Sequence, residues 1–217
     1  MKLEQMDDFF TARVIGYDEH MRITIEGASG FYAYTASLLP MENEARVLDL
    51  GCGTGLELEE YFRLNPDADV TGIDLSEAML NALREKLPDR KISLLQGLYF
   101  DIPFGEEAYD AAVSVESLHH FPAELKEKLY RKLHAALKSG GCFVLTDYFA
   151  ESDELETEYF QNLKQLKKEQ GLPENVFLHY DTPLTVDHEI QVLQRAGFSD
   201  VQIRKEWGTT FTLLAKH

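Results

Sequence analysis

Three glycines on alternate residues, Gly51, Gly53 and Gly55, close the run Val47-Leu48-Asp49-Leu50 and open a helix-like segment. Residues of this type and spacing can hold a nucleotide-like ligand. Glycine permits positive φ and carries no Cβ, so a ligand lies directly against the backbone, and amides at the following helix start face its anionic end. Asp74 closes the next apolar run, Asp69-Val70-Thr71-Gly72-Ile73, about 20 residues after the glycines. At that distance a βαβ unit presents a carboxylate that accepts both ribose hydroxyls of an adenosine. Each feature has a plainer use. Alternating glycines make a sharp strand-to-helix turn, and Asp74 caps a helix, although Ser76 can do that alone. The third glycine comes one residue too early for a nicotinamide fingerprint, and Asp49 stands inside the motif, which points away from NAD.

A second group, Glu116, His119 and His120, follows an apolar stretch at 110–115. Either histidine can act as a general base, and Glu116 can act as a base or anchor a cationic acceptor. Adjacent side chains on a regular element diverge, and no third ligand stands nearby in the sequence, so no metal is expected. Packing and backbone hydrogen bonding are the plainer roles for the pair.

These residues need elements to position them. Strands are expected near 46–50, 69–73, 92–95, 110–115 and 142–147, with helices between them, giving a parallel sheet with right-handed crossovers and a ligand crevice at the strands' carboxyl ends. Glu77 to Leu87 carries Met79, Leu83 and Leu87 on one helical face. Ala123 to Leu137 carries leucines at four-residue steps and is expected to stop at Gly140-Gly141. Phe10, Val14, Tyr17 and Met21 fall at helical spacing, as do Phe31, Tyr34 and Leu38, which predicts two helices over the active edge of the sheet. Residues 149–183 exceed a simple crossover and include a charged helix over 153–170, the pattern of a lid. Leu155, Tyr159, Leu163 and Leu166 form its packing stripe, and Phe177, His179 and Tyr180 are candidates for an acceptor pocket. Val201 to Glu206 and Thr209 to Ala215 flank Trp207-Gly208 as an antiparallel hairpin.

Composition fits one compact enzyme. A chain of 217 residues, 44% hydrophobic and 11% aromatic, can bury a sizeable core. No span is apolar enough to cross a bilayer, and the N-terminus lacks a basic region followed by a hydrophobic one, so a cytoplasmic enzyme is expected. Cys52 and Cys142 are too few for a disulfide framework or zinc site and read as small buried hydrophobes. A net charge of -17, from 38 acidic and 21 basic residues, repels phosphate backbones. Nucleic acid is therefore not expected as a substrate. A neutral or cationic small molecule suits the chain better, and its oligomeric state stays open.

The five segments Val47–Gly55, Gly72–Ser76, Gln96–Phe104, Tyr109–Phe121 and Leu137–Gly141 together resemble the class I S-adenosylmethionine-dependent methyltransferases of small-molecule type. The resemblance implies a Rossmann-like α/β fold: a seven-stranded, mostly parallel sheet with a C-terminal antiparallel hairpin. It divides the one domain into a helical cap (1–40), a cofactor-binding core (41–148), an inserted lid (149–184) and a C-terminal helix and hairpin (185–217). S-adenosyl-L-methionine is then the cofactor, held at Asp49, Gly51, Cys52, Gly53, Gly55, Asp74, Leu75, Met79, Gly97, Leu98 and Val115. Tyr17 covers its sulfonium. Methyl transfer by in-line displacement needs mainly positioning, with a base only where the acceptor must lose a proton. The family often places an acidic residue after the Gln-Gly pair where this chain has Leu98, which leaves Asp101 or nothing for the adenine amino group. A noncatalytic cofactor-binding module that contacts a protein partner, and a protein or tRNA methyltransferase, are the alternatives.

Overall fold

The computed structural model describes residues 2–173 and 176–217. Three helices come first, α1 (Met6–Arg13), α2 (Tyr17–Thr24) and α3 (Ala28–Ser37). Then β1 (Arg46–Leu50), α4 (Leu56–Leu64), β2 (Asp69–Asp74), α5 (Glu77–Lys86), β3 (Ile92–Gln96) and β4 (Tyr109–Val115) alternate. A 3-10 turn at Leu118–His120 leads to α6 (Ala123–Ala136), β5 (Leu137–Tyr148), α7 (Asp153–Glu169), α8 (Val186–Ala196), β6 (Asp200–Trp207) and β7 (Thr210–Lys216). The seven strands form one sheet in the order β3-β2-β1-β4-β5-β7-β6. The first five are parallel, and β7 pairs antiparallel with β5 and β6. The expected hairpin lies at that edge.

Both faces of the sheet are covered, as near-continuous apolar strands require. Leu48, Leu50, Leu129, Tyr130 and Phe143 belong to one buried cluster, and Val47, Val70, Leu58, Tyr61 and Phe62 to the other. At the rate of about 1.5–3 kcal/mol for a fully buried large apolar side chain, these clusters dominate the fold's stability.

Two expectations change. The Phe10-to-Met21 stripe is not one helix, because Gly16 takes a left-handed φ of 79° and separates α1 from α2. The cap therefore has three helices. Gly140-Gly141 does not terminate α6, which ends at Ala136, and Leu137 is already extended and pairs with Tyr109. The register shifts between Tyr109 and Ala111, and a Cβ on Gly141 would stand 2.9 Å from the Lys138 carbonyl and 3.0 Å from that of Asp110. The glycine serves a bulge in β5, where two backbones approach too closely for a side chain.

Among the described residues, no helix is long and apolar enough to cross a membrane. Helix α7 has no fully buried residue. Glu156 ties it to α8, accepting from the Thr185 amide at 2.6 Å and lying 2.9 Å from His188 Nδ1. Downstream, the chain returns over the N-terminus, where Leu178 bridges to Gln5 and the His179 amide donates to the Glu4 carbonyl.

Candidate active site

At the carboxyl end of β1 the three glycines do different work. A Cβ on Gly51 would lie 2.0 Å from Ser117 Oγ, and one on Gly55 would lie 2.3 Å from Leu83 Cδ1. These positions are closed by protein. Over Gly53 a Cβ would meet nothing nearer than the Gly51 carbonyl at 4.0 Å, and Gly53 faces a narrow cleft of about 60 Å³. The open space lies where a ligand would rest on the backbone.

Asp74 shares that cleft. Its Oδ2 accepts from the Gly53 amide at 2.9 Å and its Oδ1 from the Ser76 amide at 2.8 Å, while Ser76 Oγ caps α5 through the Met79 amide. Burial raises the Asp74 pKa to about 6, against the lowering effect of those amides. Beneath the turn, Asp49 and Glu57 are buried together. Burial is the largest cause of their raised pKa values: Glu57 reaches about 7, and the Glu57 charge lifts Asp49 further. Apart from Glu57, with which it can share a proton, Asp49 has no hydrogen-bond partner for either carboxylate oxygen among the described residues. Buried carboxylates without a cation are costly, so this pair fits a ligand that brings an ammonium group.

Of the residues expected to hold a cofactor, Tyr17, Gly51, Gly53, Asp74, Leu75, Met79, Gly97, Leu98 and Val115 line the cleft. Asp49, Cys52 and Gly55 do not; they support the turn from behind, Cys52 buried and packed toward Gly72. Asp101 is exposed and outside the cleft, so nothing acidic from that loop stands in at Leu98. Met6, Phe10, Tyr99 and Phe121 complete the apolar wall. Met6 and Tyr99 had no signal beyond their apolar character.

A larger cavity of about 750 Å³ opens beside the cleft, between α1–α2 and the ends of β4 and β5. Phe10, Tyr17, Glu116 and His120 line both spaces and form their common wall. Burial, followed by the charges of Glu57, Asp74, Glu116 and Asp18, pushes the Tyr17 hydroxyl well above its ordinary range, so it stays protonated. Glu116 follows β4 with φ 49°, a left-handed conformation unusual for a side-chain-bearing residue, and accepts from Thr210 Oγ1 at 3.0 Å. Burial and the Asp147 charge raise its pKa to about 7, although His119 opposes them.

The histidines do not diverge, because they sit on the 3-10 turn under the returning segment 176–182. Their ring centroids are 4.0 Å apart, and the Thr182 amide donates to the His119 carbonyl. His119 Nδ1 is 2.6 Å from Asp147 Oδ1, and Asp147 also accepts from the Leu118 amide at 2.9 Å and the Tyr148 amide at 3.0 Å. Asp181 stands 3.5 Å from His119 Nε2 and 3.3 Å from His120 Nδ1. Burial opposes protonation of both rings. At His119 the Asp147 and Asp181 carboxylates outweigh burial and raise the pKa, whereas at His120 burial and the His119 charge lower it. Asp147 carried a signal, an acid at the end of an apolar central strand; Asp181 carried none. Of the three aromatic-run candidates only His179 lines the larger cavity, its ring stacked on Phe9 at 3.4 Å. Phe177 packs against Phe100 and Phe121 instead, and the Tyr180 carbonyl faces His120.

A family model described as a methyltransferase domain matches residues 47–141. The carboxy-S-adenosyl-L-methionine synthase of Campylobacter fetus subsp. fetus is 28% identical over 188 residues, which is 79% of this chain and 76% of that protein. Human N-acetylserotonin methyltransferase in complex with S-adenosylmethionine is similar over 97% of this chain and 56% of its own, at 19% identity and a TM-score of 0.66. Haemonchus contortus phosphoethanolamine N-methyltransferase 2 in complex with S-adenosyl-L-methionine is similar over 91% of this chain and 45% of its own, at 18% identity and a TM-score of 0.69. Such identities show a shared fold. Together with the domain match over the glycine turn and the strands that build the cleft, they lead to one assignment: the chain carries a methyltransferase domain over residues 47–141, on the fold of the class I S-adenosylmethionine-dependent methyltransferases.

Proposed function

We propose that the protein methylates a neutral or cationic small molecule held in the 750 Å³ cavity, across the wall formed by Phe10, Tyr17, Glu116 and His120. That common wall carries the reading: two adjoining spaces, one against the glycine turn and one open to a second molecule, meet at a few polar groups. S-adenosylmethionine supplies a methyl group already activated on a sulfonium. The residues that would hold it are Gly51, Gly53, Leu75, Met79, Gly97, Leu98 and Val115 along the cleft, Asp74 for the ribose hydroxyls, and the Asp49–Glu57 pair beneath the turn for its ammonium. Cys52 and Gly55 keep that turn in shape.

The lone pair of an acceptor nitrogen or oxygen forms the bond to the methyl carbon as the carbon–sulfur bond breaks, and the pair from that bond stays on sulfur. Any proton on the acceptor atom passes to a neighbouring base or to water. Tyr17, protonated and on the common wall, shapes the approach, and Glu116 anchors an acceptor's positive or hydrogen-bearing group. His120 lies beside them. His119 stands one step back, and its contact with Asp147 makes it a positioning residue.

Arg13 is the one lysine or arginine among the described lining residues, and it is engaged by Glu4 at 3.2 Å and the Phe9 carbonyl at 3.0 Å. Glu26, Glu116 and Asp181 face the same cavity. An anionic acceptor would find no free cation among the described lining residues.

The test is transfer of a labelled methyl group from S-adenosylmethionine to fractions of a small-molecule extract sorted by charge. Label and S-adenosylhomocysteine should appear with neutral or cationic fractions, and Glu116→Gln should raise the acceptor KM more than it lowers kcat. Label entering only anions would overturn the acceptor assignment. Retention of cofactor with no product from any fraction would mean a noncatalytic binding module.

A further inference from the structure

At the common wall, Asp181 from a distant part of the chain converges with the neighbouring His119 and His120 in a way that methyl transfer does not require. We propose that His119 Nε2, His120 Nδ1 and Asp181 Oδ1 form a site for one divalent transition-metal ion, of the zinc, cobalt or manganese kind, on the wall of the larger cavity.

The separations carry the argument. Asp181 Oδ1 is 3.5 Å from His119 Nε2 and 3.3 Å from His120 Nδ1. Direct N–H···O hydrogen bonds span about 2.7–3.2 Å, so these contacts are long for a network that exists to be hydrogen-bonded. Two ligand atoms on a tetrahedral ion with bonds of about 2.0–2.1 Å lie about 3.3–3.4 Å apart, which is the spacing found. His120 Nδ1 also meets the Tyr180 carbonyl at 3.3 Å, a long hydrogen bond that a bound ion would replace.

An independent feature points the same way. Asp147 holds His119 Nδ1 at 2.6 Å and is itself fixed by two backbone amides. A carboxylate on the far nitrogen of an imidazole sets its tautomer, so the lone pair sits on the other nitrogen, which here faces Asp181. That is the outer partner metal-bound histidines regularly carry. Asp147 therefore supports the ion rather than binding it. Two imidazole nitrogens and one carboxylate oxygen favour transition metals over magnesium or calcium, which prefer all-oxygen sets.

Both histidines are 8% exposed and the Asp181 side chain is 47% exposed, so the back of the site is dry and its front open. Three protein ligands leave a fourth position for water or for an acceptor oxygen or nitrogen. The acceptor's part rests on the function proposed above; binding of the ion does not.

The test uses the full chain, freed of metal by dialysis against a chelator, then titrated with zinc chloride by calorimetry and with cobalt(II) by visible absorption. One equivalent should bind, with cobalt giving the absorption of a low-coordinate site. Asp181→Asn and His120→Gln should each weaken binding at least about tenfold, and Asp147→Asn about 10- to 100-fold, with circular dichroism unchanged. His134 and His217, whose rings stack at 4.0 Å, are the competing histidine pair, so His217→Gln should change nothing. Absence of binding at one equivalent would overturn the proposal and leave His119 as an imidazolium held between Asp147 and Asp181. So would loss of binding in His217→Gln with retention in Asp181→Asn.

Discussion

At Gly53, the smallest side-chain change separates fold from ligand binding. An alanine there has room among the protein's atoms, and its φ of 48° costs about 1–2 kcal/mol for a residue with a Cβ. Gly53→Ala should therefore fold, yet its methyl group stands in the space over the backbone that faces the cleft. Affinity for S-adenosylhomocysteine, measured by calorimetry, should fall at least about tenfold, or about 1.4 kcal/mol. Gly55→Ala should behave oppositely. Its Cβ drives into Leu83, overpacks the seam between α4 and α5, and costs about 1–3 kcal/mol of stability on top of backbone strain. Wild-type affinity in a folded Gly53→Ala protein would remove this turn from the cofactor site. Asp74→Ala belongs with Gly53. Losing an acceptor for ribose hydroxyls, each charge-assisted bond being worth about 1.5–3 kcal/mol, should weaken the same ligand at least about tenfold, whereas unchanged binding would leave Asp74 as a brace for Gly53 and Ser76.

Elements differ in how firmly they are held, and helices α1 and α2 are among the more loosely held. Most of α1 and α2 is exposed, with Met6 and Met21 their only fully buried residues. Their ties lie mostly at the surface: Thr11 to Ser76 at 3.0 Å, Asp18 to Thr54 and Lys86, Arg22 to Glu59 at 2.8 Å, Phe9 stacked on His179, and the adjoining Gln5–Leu178 bridge. Met6, Phe10 and Tyr17 nevertheless close the cleft, so a nucleoside enters only when these helices lift. Backbone amides of residues 6–24 should exchange with deuterium at least about tenfold faster than those of β1 and β4, and slow markedly on saturation with S-adenosylhomocysteine. Core-like protection of 6–24 in the free protein would mean that another element opens. The same distinction explains what the sequence disclosed. Strands β1 to β4 and helix α5 lie within a residue or so of their expected bounds, because each has a local pattern and a clear stop, such as Ser76 capping α5. The break at Gly16 was hidden by a spacing of apolar residues that runs on through it. Gly140-Gly141 resembled a helix stop because a bulge needs the same residue type. Asp181 could not be joined to His119 and His120 at all, since only the path of 176–182 over the N-terminus brings them together.

The whole molecule carries a charge of -17 and has gathered three of its carboxylates, Asp49, Glu57 and Asp74, in one buried place near the glycine turn. All three have folded pKa values above their ordinary ones, chiefly through burial: Asp74 about 6, Glu57 about 7 and Asp49 higher than its usual range. The folded chain therefore keeps protons that the unfolded chain has released, and unfolding releases them. Stability from this source is complete at low pH and is lost as pH rises through those folded values. His134 and His179, whose pKa values burial lowers, have the opposite effect around and below the usual imidazole range. His119 and His188, whose pKa values neighbouring carboxylates raise, and Glu116 at about 7 add to the fall above it, so between about pH 6.5 and 8.5 the change a variant makes in the slope isolates the buried pair. Across that interval the melting temperature of the free protein should fall, and Glu57→Gln or Asp49→Asn should make the fall shallower, since each removes one group that must ionise in a dry place. Salt offers a control. Repulsion among exposed charges is screened at high ionic strength, whereas the buried set is not, so the part of the slope abolished by Glu57→Gln should survive in 1 M salt. A ligand carrying an ammonium group should flatten the slope further, by giving the ionised pair the cation it lacks. A melting temperature that rises over the interval, or a Glu57→Gln protein with the wild-type slope, would show that these carboxylates are not held protonated and that the pair beneath the turn needs no cation.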